Sequence, residues 1–214
     1  MDTIEINGQI FPYESMELAY ENAIPLDKKI AKENLLLLKK VLDNNGCEFI
    51  LTFGTLLGAV RDNDFITHDT DIDVAVFGEE SIFSCIYALW EEGLHLCRYE
   101  SSSYISFIRK NIYIDVYIVK NVRFPLSLVY CHYAGMFYPK NLLKKTQDYP
   151  FLETHFKVPL KLEQNLVHVY GKTWKIPRKG DLGNIESLTI RIIRKIMQHT
   201  PRFLQNALKS LINS

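Results

Sequence analysis

The chain is expected to fold as an α+β domain, and three stretches carry that expectation. From Asp27 the sequence DKKIAKENLLLLKKVLDNNG sets Ile30, Leu35, Leu37, Leu38, Val41 and Leu42 at helical spacing. CEFILTF and DIDVAVF are short apolar runs of the kind that form buried strands. SYISFIRK and IYIDVYIVK flank Lys110-Asn111 in the pattern of an antiparallel pair.

Taken in chain order, residues 4 to 11 (IEINGQIF) read as a short hairpin around Asn7-Gly8. Asp27 can cap the following helix and Gly46 can end it. CEFILTF then leads into a turn at Gly54, and DIDVAVF forms the next strand. Ser81 to Glu92 has the apolar spacing of one helix. In the antiparallel pair, IYIDVYIVK puts Ile112, Ile114, Val116 and Ile118 on one face and Tyr113, Asp115 and Tyr117 on the other. Asp115 is thus an acid in an otherwise apolar strand. Phe124 to Pro159, broken by Pro125, Pro139 and Pro150, reads as irregular structure with short helices. LEQNLVHVYG is a short helix ending at Gly171.

The final residues, 181–214, read as a helical tail. Leu188, Ile192, Ile193, Ile196 and Met197 form one apolar stripe; Leu204, Ala207, Leu208 and Leu211 form another beyond Pro201. Arg191, Arg194, Lys195, Arg202 and Lys209 make the tail basic. Such a segment packs on its own domain or on a second subunit, or lies peripherally on a membrane surface.

Composition narrows the function. With 25 basic and 25 acidic residues the formal charge is zero, so no global field recruits nucleic acid and no nucleic-acid partner is expected. Cys47, Cys85, Cys97 and Cys131 lie in apolar segments without CxxC pairing and read as buried free thiols. No secretory signal pattern opens the sequence, and no apolar run reaches the roughly 20 residues of a membrane span. A cytoplasmic protein is expected, with the inner face of the membrane as the place of any peripheral contact.

The chemistry concentrates between Thr52 and Phe77. Asp69, Asp71 and Asp73 alternate, and in an extended backbone alternate residues share a face. Like charges on one face repel unless a cation sits between them, and hard oxygen ligands suit Mg²⁺ or Mn²⁺. Asp115 on a neighbouring strand can converge on the same ion or ion pair. Gly54-Thr55 offers backbone N–H groups to a phosphate without an obstructing Cβ. Arg61 can clamp a phosphate, or pair with Asp62 or Asp64. Alternating acids are also what a solvated edge strand shows, and Asp115 can equally be a buried acid paired with a basic side chain. Asp69 is the weakest of the three, and its reading is a cap for the turn or a hold on a water beside the ion.

At these residues the chain resembles a known family. GTLLGAVR followed by DTDID is similar to the signature of the LicD family, a branch of the nucleotidyltransferase fold that includes fukutin and fukutin-related protein. The resemblance continues through YIDVYIV and FKVPLKLEQNLVHVYGKTWKIP and covers roughly Asp27 to Pro177. It implies a nucleotidyltransferase-like mixed sheet flanked by helices, with residues 1–180 as the catalytic domain. It implies metal-dependent transfer of a phosphate-bearing group, phosphocholine or a polyol or sugar phosphate, from a CDP-linked donor to a glycan or teichoic-acid-like hydroxyl, releasing CMP. CDP-choline is one such donor, and lipopolysaccharide or capsule modification one such setting. By the same resemblance Asp71 and Asp73 are metal ligands and Asp115 is the third catalytic carboxylate and ligand. Gly54, Thr55 and Arg61 fall on the substrate-facing positions. Thr67-His68 replaces the family's usual Pro-Trp, which makes His68 a candidate for setting donor or acceptor identity. Two other readings stay open: transfer of a nucleoside monophosphate from a nucleoside triphosphate to a small acceptor, and a catalytically silent glycan- or nucleotide-binding module.

Overall fold

The computed structural model describes residues 2–15, 24–100 and 103–177. Two compact units are distinguished, one of Met1–Lys120, Tyr133–Gly135 and Gln147–Val158, the other of Asn121–His132, Met136–Thr146 and Pro159 onward. The tail expected over 181–214 lies outside the described residues.

The first unit opens with β1 (Asp2–Ile6) and β2 (Gln9–Tyr13), an antiparallel hairpin turning on Asn7 (φ 51) and Gly8 (φ 78). Positive φ at both central residues is the type I′ geometry that matches strand twist, and Asn-Gly is its favoured sequence. Helix α1 (Lys28–Asn44) starts where Asp27 Oδ1 accepts from the amides of Lys29 (2.8 Å) and Ile30 (3.1 Å). Its buried stripe holds Leu35, Leu38, Val41 and Leu42 as predicted, with Ala31 added, while Ile30 and Leu37 are only half-buried. Asn34, buried in that stripe, donates to the carbonyl of Arg109 and accepts from its Nη1, both at 2.8 Å. That pairing satisfies a polar group which would otherwise be costly in the core.

The central sheet runs β3 (Phe49–Leu51), β4 (Asp71–Phe77), β7 (Ile112–Asn121), β6 (Tyr104–Arg109), β5 (His95–Glu100). Only β4 and β7 are parallel; the other neighbours are antiparallel, so the sheet is mixed. The β6–β7 turn has Lys110 (φ 52) and Asn111 (φ 60), again type I′. β7 alternates buried isoleucines with part-exposed Tyr113, Asp115 and Tyr117 as its pattern predicts. Strand β5 was not expected from the sequence.

Three expectations are corrected. The Gly54-Thr55 stretch is not a turn but the first turn of a helix, α2 (Phe53–Arg61). Ser81–Glu92 is two short helices, α3 (Glu79–Phe83) and α4 (Ile86–Glu91). They part where Ser84 Oγ and Cys85 Sγ both bond back to the carbonyl of Ser81, at 2.8 and 3.3 Å, the side-chain competition that loosens a helix. Phe124–Pro159 has the short helices expected of it, 3-10 turns at Leu126–Leu128 and Lys140–Leu142, but is not otherwise irregular. It forms β8 (Tyr130–Tyr133) with β9 (Met136–Pro139), and β10 (Thr146–Phe151) with β11 (Thr154–Pro159). These hairpins turn on Ala134-Gly135 and Leu152-Glu153, all four residues at positive φ. Leu152 and Glu153 carry none of the usual left-handed signal, so the sequence hid the turn. Helix α5 (Leu162–Tyr170), in the second unit, is ended as expected by Gly171 at φ 80. All four cysteines are buried and free. Among the described residues no helix is long and apolar enough to cross a membrane.

Candidate active site

The site forms at one end of the β4–β7 pair. Parallel pairing sets Asp73 in register with Asp115, and Asp71 with Tyr113. Asp69 precedes β4 in the loop. One carboxylate oxygen from each of Asp69, Asp71 and Asp73 lies within 4.8 Å of the others. Asp73 is buried, and Asp69 and Asp71 are part-exposed, so the cluster opens at one side.

The start of α2 is stitched onto these acids. The Gly54 amide donates to Asp73 Oδ2 at 2.9 Å, and the Asp73 amide donates to Thr55 Oγ1 at 2.9 Å. Thr52 N–H reaches the Asp73 carbonyl at 3.3 Å. Gly54 and Thr55 therefore orient Asp73 directly. A Cβ on Gly54 would meet Asp69 Oδ2 at 2.3 Å and Asp73 Oδ2 at 3.1 Å, so the glycine is needed for close approach of carboxylates. The second glycine of GTLLGAVR serves packing: a Cβ on Gly58 would lie 2.5 Å from the Asp64 carbonyl.

The electrostatics are those of a cation site. Asp69 Oδ1 accepts from the Thr70 amide (3.2 Å), while its buried Oδ2 has no hydrogen-bond partner among the described residues. An orphaned buried carboxylate oxygen is costly, and a cation bound there satisfies it. Burial raises the Asp69 carboxyl, and pushes Asp71 up to about 7 with the Asp69 charge adding to it. Asp73 is raised well above the usual carboxylate range by burial, then by Asp71, Asp69 and Asp115. Asp115 is pushed up to about 6 by burial, against the hydrogen bond it accepts from Ser106 Oγ at 2.6 Å. Four acids that resist ionising together fit a divalent cation, whose charge reverses that preference.

An aromatic wall stands beside the acids. Phe53, at φ 38, stacks on Tyr133 at 5.3 Å and meets Tyr117 edge-on at 4.8 Å. Tyr104 packs on Tyr117 at 5.4 Å, with the Arg98 guanidinium 4.7 Å over its ring. The Thr52 hydroxyl bonds the Tyr133 hydroxyl. Packing of this density holds Phe53 in a conformation that a bulky residue rarely adopts.

The structure thus brings Gly54, Thr55, Asp71, Asp73 and Asp115 together. Arg61 lies at the far end of α2, about 10 Å along the axis from Gly54. It makes a two-pronged pair with Asp62, Nε–Oδ1 2.8 Å and Nη2–Oδ2 2.7 Å. Asp64 is engaged by Lys28 at 2.7 Å instead. His68 is exposed in the turn immediately before Asp69. Sequence reasoning missed Ser106, Phe53 and Tyr133, and gave Asp69 only a supporting part, as a turn cap or a hold on a water. The unbroken two-residue spacing from Asp69 to Asp73 was the one available signal for Asp69.

The family model described as "LicD/FKTN/FKRP, nucleotidyltransferase domain" matches residues 46–161. The chain is 30% identical over 168 residues to the mouse ribitol-5-phosphate transferase FKTN, covering 71% of this chain and 34% of that protein. The human ribitol-5-phosphate transferase FKTN is 30% identical over 167 residues with the same coverage. The chain therefore spans about a third of the length of these curated relatives. Among solved structures, the lincosamide antibiotic adenylyltransferase LnuA bound to lincomycin has a TM-score of 0.47 at 12% identity, over 68% of this chain and 87% of that one. The matched family segment runs from the loop before β3 to the residue before α5 and contains all four aspartates, and the chain belongs to the LicD/FKTN/FKRP family of nucleotidyltransferase domains.

Proposed function

We propose that the chain transfers a phosphate-bearing group from a CDP-linked donor to a glycan hydroxyl, releasing CMP, with a divalent cation held at the aspartate cluster. The observation that carries this reading is the convergence of Asp69, Asp71 and Asp73 within 4.8 Å of one another, with Asp115 in register beside Asp73. The name of the mouse and human relatives supports a polyol phosphate such as ribitol 5-phosphate as the group transferred. Residues 1–180 are the catalytic domain in this reading, and 181–214 an appended tail. The four free thiols support a reducing, cytoplasmic setting.

Asp71 and Asp73 would hold the cation, Mg²⁺ or Mn²⁺, and the Oδ2 of Asp69, without a hydrogen-bond partner among the described residues, would add a third oxygen. A cation held there would supply charge neutralisation for the donor diphosphate during in-line displacement at phosphorus. Gly54 and Thr55 keep Asp73 oriented from the start of α2. Asp115, raised to about 6 and steadied by Ser106, accepts the proton of the acceptor hydroxyl as its oxygen bonds to phosphorus. CMP leaves with the electrons of the broken phosphoanhydride bond. Arg61 is occupied by Asp62 and takes no part in this step, and His68 stands at the rim where donor or acceptor is selected.

The test is CMP release over CDP-ribitol, CDP-glycerol and CDP-choline with glycan acceptors, with and without chelator. Chelator-sensitive CMP release that is lost in Asp71→Asn is the expected result. Pyrophosphate release from a nucleoside triphosphate would replace this reading by nucleoside monophosphate transfer. Donor binding without turnover across the panel would make the chain a silent binding module.

A further inference from the structure

The formal neutrality of the chain conceals two oppositely charged parts. Among the described residues of the first unit 11 Lys and Arg face 20 Asp and Glu; among those of the second, 7 face 1. The described residues of the second unit hold one acid, Glu163, and it is paired with Lys175 at 3.0 Å.

Within that unit the chain from Arg123 to Val129 folds around a 3-10 turn at Leu126–Leu128 and presents its apolar side chains outward. Phe124, Leu128 and Val129 are 75%, 72% and 60% exposed. Exposed apolar residues are ordinary when scattered, and three large ones within six positions are not. Cations stand at the base of this tip. Lys140 donates its amide to the Val129 carbonyl at 2.9 Å and its Nζ to the Ser127 carbonyl at 3.0 Å. Lys144 Nζ donates to Asn121 Oδ1 at 3.0 Å. Desolvation and the Lys140 charge together push the Lys144 ammonium down, so the two cations are crowded. Among the described residues neither lysine, nor Arg123, is paired with a carboxylate.

We propose that residues 123–129, with Lys140 and Lys144 at their base, dock on an anionic lipid bilayer, Phe124, Leu128 and Val129 entering the boundary between headgroups and acyl chains. A soluble polyanion would engage the cations and leave the apolar tip in water. A bilayer takes both, since its surface attracts basic side chains and its interior accepts apolar ones. The surface differs from the basic tail at 181–214, and the inference stands independently of the chemistry at the aspartate cluster.

The experiment uses the full chain with phosphatidylcholine vesicles, with and without phosphatidylglycerol, read by co-sedimentation. Binding to the anionic vesicles alone is expected, weakening as salt is raised. Phe124→Ser/Leu128→Ser should lower partitioning at least about tenfold. Lys144→Glu should lower it several-fold, and serves should the double variant fail to keep its melting temperature. Emission from Phe124→Trp should shift to the blue on anionic vesicles and stay unshifted with heparin. Absence of sedimentation overturns the proposal. Equal sedimentation of wild type and double variant also overturns it, assigning the binding to other basic segments. Full competition by heparin with unshifted Phe124→Trp emission overturns it in favour of a polyanion.

Discussion

Oδ2 of Asp69 occupies the space that a side chain on Gly54 would fill, 2.3 Å from where its Cβ would stand. Helix start and loop acid therefore specify one another. Gly54→Ala forces Asp69 to rotate away and crowds Asp73, while leaving the apolar core untouched. Divalent-cation affinity should fall at least about tenfold and turnover further, with the fold retained. Calorimetric titration with Mn²⁺ beside a thermal melt checks this, and unchanged affinity would count against the cluster as a cation site.

Gly58→Ala should behave in the opposite way. The new methyl meets the Asp64 backbone carbonyl at 2.5 Å and the Ile66 amide nitrogen at 3.1 Å, and backbone does not rotate aside. A loss of about 1–3 kcal/mol of stability is expected. Denaturant unfolding of the two glycine variants side by side separates a packing glycine from a site glycine.

Asp71→Asn should reduce turnover by about a thousandfold or more if the cluster holds the cation. The same change removes a charge from a crowded set, since burial and Asp69 already push Asp71 up to about 7. The metal-free variant should melt no lower than wild type at neutral pH, and its melting temperature should no longer respond to Mg²⁺. A variant that keeps its Mg²⁺ response would remove Asp71 from the ligand set.

Stability without metal should fall as pH rises from about 4 to about 7. The carboxyls of Asp115 and Asp71 have folded-state values near 6 and 7 against an ordinary 3.8, so the folded state holds protons that the unfolded chain has already released. The penalty from Asp115 alone is about 3 kcal/mol above its folded-state value. Mg²⁺ should recover the loss at pH 8 and do little at pH 5. Melting curves at the two pH values, with and without the ion, give the sign directly; a metal-free protein stabilised by rising pH would contradict it.

Ser106→Ala takes away the hydrogen bond that holds the Asp115 carboxylate in its charged form. The Asp115 carboxyl should rise further, moving the acid limb of the pH–rate profile to higher pH. Turnover at neutral pH should drop several-fold without being abolished. A profile that keeps its acid limb in place would mean that Asp115 is not the proton acceptor.

The elements whose signals are local could be read from the sequence. Asp27 capping α1, Asn7-Gly8 and Lys110-Asn111 turning their hairpins, and the alternation of β7 each depend on neighbours a few residues away. The hairpin at 146–159 was hidden because Leu152-Glu153 adopts positive φ without a residue that favours it, and that at 130–139 turns on Ala134 and Gly135, of which only the glycine carries a turn signal. The break at Ser84-Cys85 was hidden because it arises from side chains bonding back to the Ser81 carbonyl.

The sequence by itself determined which acids share a strand face, because a two-residue period sends them there wherever the strand lies. It also determined the family, through GTLLGAVR and the acids that follow. Tertiary structure alone decided three things. Parallel pairing of β4 with β7 put Asp115 beside Asp73 across 42 positions of sequence, a register that no local pattern encodes. Closure of the loop onto α2 turned Asp69 into the cluster and made Gly54 its hollow. Folding also sorted the described residues into an acidic unit and a basic one, since charges at distant positions sum only once the backbone has gathered them.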